Sequence, residues 1–292
     1  MLMKKPRQTR KTVETFIFLA PAMILLFLFK IYPILISFVG SFFNESFYSG
    51  RVFVGFDNYI DLFRNNDFLN SLWVTFKFNI ITTPLQIVIA LLLALSIAKP
   101  SKAHSFFRVI FMMPICIALT SACMLWNIML NPNQGIVNSL LALFRIKSQP
   151  FFTSSAQAMF CVILICNWRG CGYWMLYLLT GIQDVSQSVL ESAKIDGAGR
   201  FRIVWSIILP MIMRSIMFVT VSDTIANLLM FVPVHMITSG GPTGSTNLMM
   251  YEAYKRGFVY SDFGISYSII TLLLIFAFII VRIEMKLLKP KY

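Results

Sequence analysis

Six apolar stretches limit this 292-residue chain more than any other feature. Five approach or exceed the roughly 20 residues a helix needs to cross a bilayer, and the sixth is usable. They run near Phe16–Phe38, Leu72–Ala98, Phe107–Leu130, Ala156–Thr180, Ser206–Val232 and Phe263–Ile283. Lipid offers no hydrogen bonds, so each run must satisfy its own backbone as a helix. The expected fold is therefore all-α, a polytopic membrane bundle of about six transmembrane helices forming a single domain over 1–292. Composition agrees: 58% of residues are hydrophobic and 13% charged, against about a quarter charged in soluble domains. The first run is too long for a signal peptide and lacks a small-residue cleavage site, so it reads as a retained helix.

The net charge of +13 raises nucleic acid as a partner, and its placement argues against that. With the N-terminus in the cytoplasm, sixteen Lys and Arg fall inside: Lys4, Lys5, Arg7, Arg10, Lys11, Lys99, Lys102, Arg108, Lys194, Arg200, Arg202, Arg214, Arg282, Lys286, Lys289 and Lys291. Six fall outside, namely Arg51, Arg64, Arg145, Lys147, Lys255 and Arg256. That asymmetry is the positive-inside bias of a cytoplasmic-membrane protein with both termini in the cytoplasm. The basic charge reports topology, with lipid as the partner and no nucleic acid.

Enzymatic readings find little support. No GxSxG, HExxH or paired-aspartate motif is present. Cys116, Cys123, Cys161, Cys166 and Cys171 lie in or near spans at spacings that match no zinc site, and His104 and His235 fall at opposite faces. No metal site is expected. Two outer connections carry chain breakers, Asn131-Pro-Asn-Gln-Gly135 and Ser239-Gly-Gly-Pro-Thr-Gly244. The second is glycine-rich but has no GK[ST], so it reads as a turn.

The segment 181–214 is longer than a connector needs and mixes charged with small residues. It reads Glu191-Ser192-Ala193-Lys194-Ile195-Asp196-Gly197-Ala198, then Ile207-Ile208-Leu209-Pro210. Small residues let a short helix seat in a partner's groove, Gly197 ends its first segment, and Pro210 redirects the chain near the start of the fifth span. This spacing resembles the EAA loop of ABC importer permeases, with Ser192 in the second place of the triplet. Phe18-Leu-Ala-Pro-Ala22, Ile31-Tyr-Pro33, Gly55-Phe-Asp-Asn-Tyr59, Phe106-Phe-Arg-Val-Ile-Phe111 with Pro114, Asn131-Pro132 with Gly135 and Asn138, and Thr238-Ser-Gly-Gly-Pro242 extend the likeness over nearly the whole chain. It is similar to the maltose- and glycerol-phosphate-type sugar permeases. The family often has a further proline four residues after Pro210, where this chain has Arg214.

The resemblance implies a transmembrane permease subunit of a sugar ABC importer. Its partners would be a second homologous permease, two ATPase subunits and an extracytoplasmic sugar-binding protein. The chain has no Walker motif, so ATP and Mg would be bound by the ATPase partners, with no cofactor here and no enzymatic activity. Glu191, Ser192, Ala193, Asp196, Gly197, Ala198, Leu209 and Pro210 would couple to the ATPase. The alternative is a secondary transporter of a polar solute, which needs an ion-coupling site but no cytoplasmic docking loop.

An intramembrane charge is costly and marks a functional site by default. Arg169 lies 11 residues before Thr180 and Asp223 lies 12 after Met211, so both sit about 17 Å deep at 1.5 Å per residue. They either pair with each other or share a water-filled cavity. Tyr173 follows Arg169, and Asn227 follows Asp223, by one helical turn. Carrying family positions over from Glu191 adds Cys166, Gly170 and Met230 to a substrate pathway of Arg169, Tyr173, Asp223 and Asn227. Trp168 joins as an aromatic face for a pyranose. The guanidinium admits two cargoes, an acidic, uronate-containing saccharide or a neutral di- or oligosaccharide. Lys30, near the outer end of the first span, is expected to snorkel.

Overall fold

The computed structural model describes residues 15, 18–46, 50–99 and 101–289. Lys4, Lys5, Arg7, Arg10, Lys11, Phe16 and Lys291 lie outside the described residues. Four helices are long and apolar enough to cross a membrane: α1 (Phe18–Gly40), α3 (Asn66–Ser96), α7 (Ala158–Gln183) and α12 (Phe263–Leu287). Two further spans are bent pairs, giving six if each pair crosses once. These are α4 (Lys102–Cys116) with α5 (Leu119–Met129), bent by 93°, and α9 (Arg200–Met211) with α10 (Met213–Leu228), bent by 71°. Shorter elements include strands β1 (Phe43–Ser46) and β2 (Gly50–Phe53) as an antiparallel hairpin, α2 (Asp57–Arg64), α6 (Ile136–Leu143), α8 (Gln187–Ile195) and α11 (Met249–Tyr254).

The apolar runs mark the third and fifth spans as one crossing each, and the structure bends both. The third breaks where Ile117 and Ala118 turn extended, at ψ 130° and 134°. Pro114 supplies no backbone N–H to the last turn of α4, which weakens the helix just before the break. The fifth carries a π-helical stretch at Val204–Ile208 ahead of Pro210 and turns at Ile212. Pro210 thus redirects the chain as its chemistry predicts. The second span starts six residues earlier than its apolar run, because Asn65 Oδ1 accepts hydrogen bonds from Asp67 N (2.9 Å) and Phe68 N (3.2 Å). That cap satisfies two orphan donors of a polar first turn.

Helices α3 and α7 form the central pair, with α10 against both, α4 against α7 and α12 against α10. Close approach depends on small residues: a Cβ at Gly172 of α7 would overlap the Phe111 carbonyl of α4. One apolar layer joins α3, α7, α9 and α10 around Ala90, Met175, Leu178, Ile208 and Val219, and Ala193 of α8 belongs to it. A middle layer forms around Phe78, Val162 and Ile165. A third, around Phe68, Met249 and Ile269, sits at the end bearing the hairpin. On α1 only Gly40, packed under Tyr267, is buried. The rest of that helix presents apolar side chains outward, as a lipid-facing span does.

Polar side chains also cross between spans. Asn79 Nδ2 donates to the Thr224 carbonyl (3.0 Å), Asn227 Nδ2 to Thr83 Oγ1 (3.0 Å), and Thr224 Oγ1 to Glu284 Oε1 (2.7 Å). Each such bond contributes about 0.6 kcal/mol on average between membrane helices. Their greater effect is to fix how α3, α10 and α12 are rotated against one another.

Candidate functional site

Between α3, α4, α5, α7 and α10 lies a cavity of about 220 Å³. Cys166, Arg169, Gly170, Tyr173, Asp223, Asn227 and Met230 all line it, so seven of the eight expected pathway residues meet at one place. The eighth, Trp168, does not reach it; its ring packs edge-on against Trp126, with centroids 5.6 Å apart. Trp168 lies about 100° around the helix from Arg169 on the side away from Gly170, Tyr173 and Trp174, which turns it from the cavity.

Arg169 and Asp223 share the cavity without pairing. Asp223 is buried, with Oδ1 accepting from Trp174 Nε1 (2.7 Å) and Oδ2 from Asn227 Nδ2 (3.0 Å). Its carboxylate thereby ties α10 to Trp174 of α7, and both oxygens have donors other than Arg169. Arg169 directs Nε at the Ile117 carbonyl (3.4 Å). That carbonyl lies at the break between α4 and α5, so the bend supplies the arginine's anchor. Among the described residues Arg169 has no ion pair, and most of its five donors remain available.

Gln86, Ile115, Leu119, Trp174 and Ala226 complete the lining and were not expected there. Gln86 Nε2 reaches the Cys166 carbonyl (3.4 Å), while its Oε1 is buried without a partner. Gly170 lets that amide in, because a Cβ there would overlap it. The sequence held a signal for Gln86: Thr75, Asn79, Thr82 or Thr83, and Gln86 recur every three or four residues in an apolar span, the spacing of one helix face. All five are buried. The cavity thus offers a cation and the Tyr173 hydroxyl, which shares a hydrogen bond with Tyr177 (3.1 Å), with the unsatisfied Gln86 oxygen buried in its wall.

The second constellation lies at the opposite end of the bundle from the hairpin. Helix α8 places Glu191, Ser192 and Asp196 at the surface and buries Ala193 against the apolar layer. It ends in a Schellman motif: Gly197 has φ +77°, Gly197 N donates to Lys194 O (3.0 Å) and Ala198 N to Ala193 O (2.9 Å). Leu209 and Pro210 sit near the end of α9, and Leu209 joins the layer that holds Ala193. Ile195 is 86% exposed, and Phe201 and Trp205 of α9 are exposed too, their rings tilted against each other with centroids 5.8 Å apart. An exposed apolar set beside surface acids is the makeup of a docking face.

Nothing lies within 4 Å of a Cβ at Gly197, so backbone conformation alone demands glycine there. Gly197→Val is expected to destabilise the α8 terminus by about 1–2 kcal/mol and to lower uptake several-fold. Gly197→Asn, which tolerates the left-handed region better, should retain more transport. Equal uptake by Val and Asn variants in membrane vesicles would show that the turn does not limit coupling.

The sequence matches the family described as binding-protein-dependent transport system inner membrane component over residues 11–292. It is 32% identical to the sn-glycerol-3-phosphate transport system permease protein UgpA of Agrobacterium fabrum, over 90% of each chain. The UgpA of Brucella suis is also 32% identical, over 85% of each. The fold is similar to that in a crystal structure of a bacterial alginate ABC transporter in complex with an alginate-pentasaccharide-bound periplasmic protein. The TM-score is 0.85 at 20% identity, covering 97% of this chain and 96% of that one. A second crystal structure, of a bacterial ABC transporter that imports the acidic polysaccharide alginate, gives 0.81 at 20% identity over 97% of both.

Proposed function

Because the chain belongs to the family of binding-protein-dependent transport system inner membrane components, we propose that it is the permease subunit through which an ABC importer moves an anionic saccharide or sugar derivative across the cytoplasmic membrane. The observation that carries the anionic reading is the unpaired guanidinium of Arg169 beside an Asp223 already held by Trp174 and Asn227. Arginine receives a carboxylate or phosphate through two parallel hydrogen bonds. The relatives point the same way: their names specify glycerol-3-phosphate and alginate, both anions.

The remaining assignments follow the charge distribution and the family. Both termini face the cytoplasm, which puts α8 at the cytoplasmic surface and the hairpin outside. Two separate ATPase subunits bind ATP and Mg and close on α8 through Glu191, Ser192, Asp196 and the exposed Ile195. A second homologous permease completes the translocation path, since 220 Å³ falls below the roughly 300–1,000 Å³ of a full small-molecule site. An extracytoplasmic binding protein delivers the cargo. This chain performs no hydrolysis; it converts ATPase closure into a change of access around the Arg169 cavity.

The test starts with the binding protein, screened against neutral saccharides, uronate oligosaccharides and sugar phosphates. Uptake of each hit is then measured for wild type and for Arg169→Gln. An anionic hit is expected, with uptake by Arg169→Gln reduced about 10- to 100-fold, the equivalent of one charged hydrogen bond of about 1.5–3 kcal/mol. Arg169→Lys should recover only part, because an ammonium cannot form the fork. A neutral hit, or equal loss for neutral and anionic cargo, overturns the anionic reading.

A further inference from the structure

A second and larger cavity, about 450 Å³, opens at the hairpin end between the first turn of α3 and the glycine-rich loop that follows α10. Its walls include Asn66, Asp67 and Asn70 from α3, Thr243 and Asn247 from the loop, and Lys255 beyond α11. The volume falls in the range of roughly 300–1,000 Å³ typical of small-molecule sites. It is distinct from the Arg169 cavity. Asn70 and Gln86 lie on one continuous helix, about 24 Å apart along its axis at 1.5 Å per residue.

The walls are held in place by their own bonds. Asn70 Nδ2 donates to the Gly244 carbonyl (2.9 Å), tying α3 to the loop. The loop places Ser239, Gly240, Thr243 and Gly244 at φ between +48° and +81°, and Thr246 Oγ1 closes it on the Gly241 carbonyl (2.8 Å) and Thr238 Oγ1 (2.7 Å). Behind it Glu252 is fully buried, bonded to Lys255 Nζ (2.8 Å), Arg256 Nε (2.9 Å) and Asn247 Nδ2 (2.9 Å). Burial opposes its ionisation, but these three donors outweigh that and hold the carboxyl below its ordinary value.

One group in this framework lacks what it needs. Asn247 is only 4% exposed, and with Nδ2 committed to Glu252 its Oδ1 has no hydrogen-bond partner. A buried acceptor without a donor is costly, and this one lies just beneath the cavity wall. The surrounding chemistry narrows the ligand. Asp67 at the rim disfavours an anion, and the Lys255 ammonium disfavours a cation. The amides of Asn66 and Asn70, the Thr243 hydroxyl and the spare Lys255 protons ask for groups that donate and accept at once, which hydroxyls do.

We infer that this outer cavity is a subsite for one neutral glycosyl unit, recognised through its hydroxyls, at the mouth of the translocation path. The inference rests on the proposed function for the cargo's being a saccharide, and not on that cargo's charge.

The test uses the complete transporter in nanodiscs without its binding protein, titrated with two probes, maltotriose and a trimannuronate, and followed by saturation-transfer NMR. Both probes are expected to bind wild type. Asn66→Trp fills the cavity from an exposed rim position and should weaken both at least tenfold. Asp67→Trp fills it from the neighbouring position and guards against misfolding of the first variant. If both tryptophan variants bind maltotriose like wild type, or if wild type binds neither probe, the subsite does not exist. If the variants lose affinity for the binding protein while keeping both probes, the cavity is a protein-docking surface and the inference falls. Trimannuronate binding untouched by Arg169→Gln counts against the anionic reading alone.

Discussion

Glu191→Lys is expected to abolish ATP-driven uptake while leaving the protein inserted and the complex assembled enough to purify. The side chain is exposed on α8, where among the described residues its partner is Gln187, whose Nε2 donates to Oε1 at 3.2 Å. Reversing its charge therefore removes little from the fold. What holds α8 in place is Ala193 in the apolar layer and the Gly197 terminus, and neither is touched. On the proposed function, the effect falls instead on the contact with the ATPase partner. Like charges brought together in a partly desolvated contact cost about 2–5 kcal/mol, enough to reduce coupling by well over tenfold. The measurement is cargo-stimulated ATPase activity of the purified complex beside uptake in proteoliposomes. Ordinary stimulation in an assembled Glu191→Lys complex would remove Glu191 from the coupling surface. Ser192→Lys, one residue along the same exposed helix, tests whether any cation there acts alike.

Much of this architecture was legible because membrane constraints act residue by residue. Each apolar run became a helix or a bent pair, and the charge asymmetry needed no structure to read. Gly197 could be named as a helix terminus because few residues adopt φ +77° cheaply. The spaced match from Glu191 to Pro210 carried the family for a similar reason: each position answers to a separate steric or electrostatic demand. The breaks were harder. Pro114 weakens the last turn of α4, but Ile117 and Ala118, the residues that turn extended, carry no helix-breaking signal of their own.

The site was legible in height and, through the one-turn spacings Arg169–Tyr173 and Asp223–Asn227, only in part in rotation. Counting residues from the cytoplasmic ends puts Arg169 and Asp223 at one depth, and the structure does bring both to one cavity. Depth says nothing of which way a helix is turned about its axis. That is set by interhelical bonds such as Asn79 to Thr224 and Asn227 to Thr83, between residues some 145 apart in sequence. Trp168 illustrates the point, since it has the right depth and faces Trp126. Trp174 illustrates the converse. An indole one residue from Tyr173 reads as packing until its N–H is found on the Asp223 carboxylate.

Asp223→Leu is the second change expected to have a large effect, through loss of the folded complex. Leucine is close in size but takes away both acceptors at once. Trp174 Nε1 loses its partner, and Asn227 keeps only its bond to Thr83. Two donors left unsatisfied or half-satisfied in a span cost about 2–4 kcal/mol, a large share of a marginal stability of about 5–15 kcal/mol. The variant should melt well below wild type in detergent and yield little assembled transporter. Asp223→Asn retains an oxygen for the indole and should be far milder. The pair of asparagine and glutamine variants then decides the electrostatics. Since Arg169 anchors on the Ile117 carbonyl and not on Asp223, Arg169→Gln and Asp223→Asn should add, with a coupling energy below about 0.5 kcal/mol. Recovery of stability or uptake in the double variant would show that the two charges neutralise each other. In that case the guanidinium holds two helices together, and its place in substrate recognition is lost.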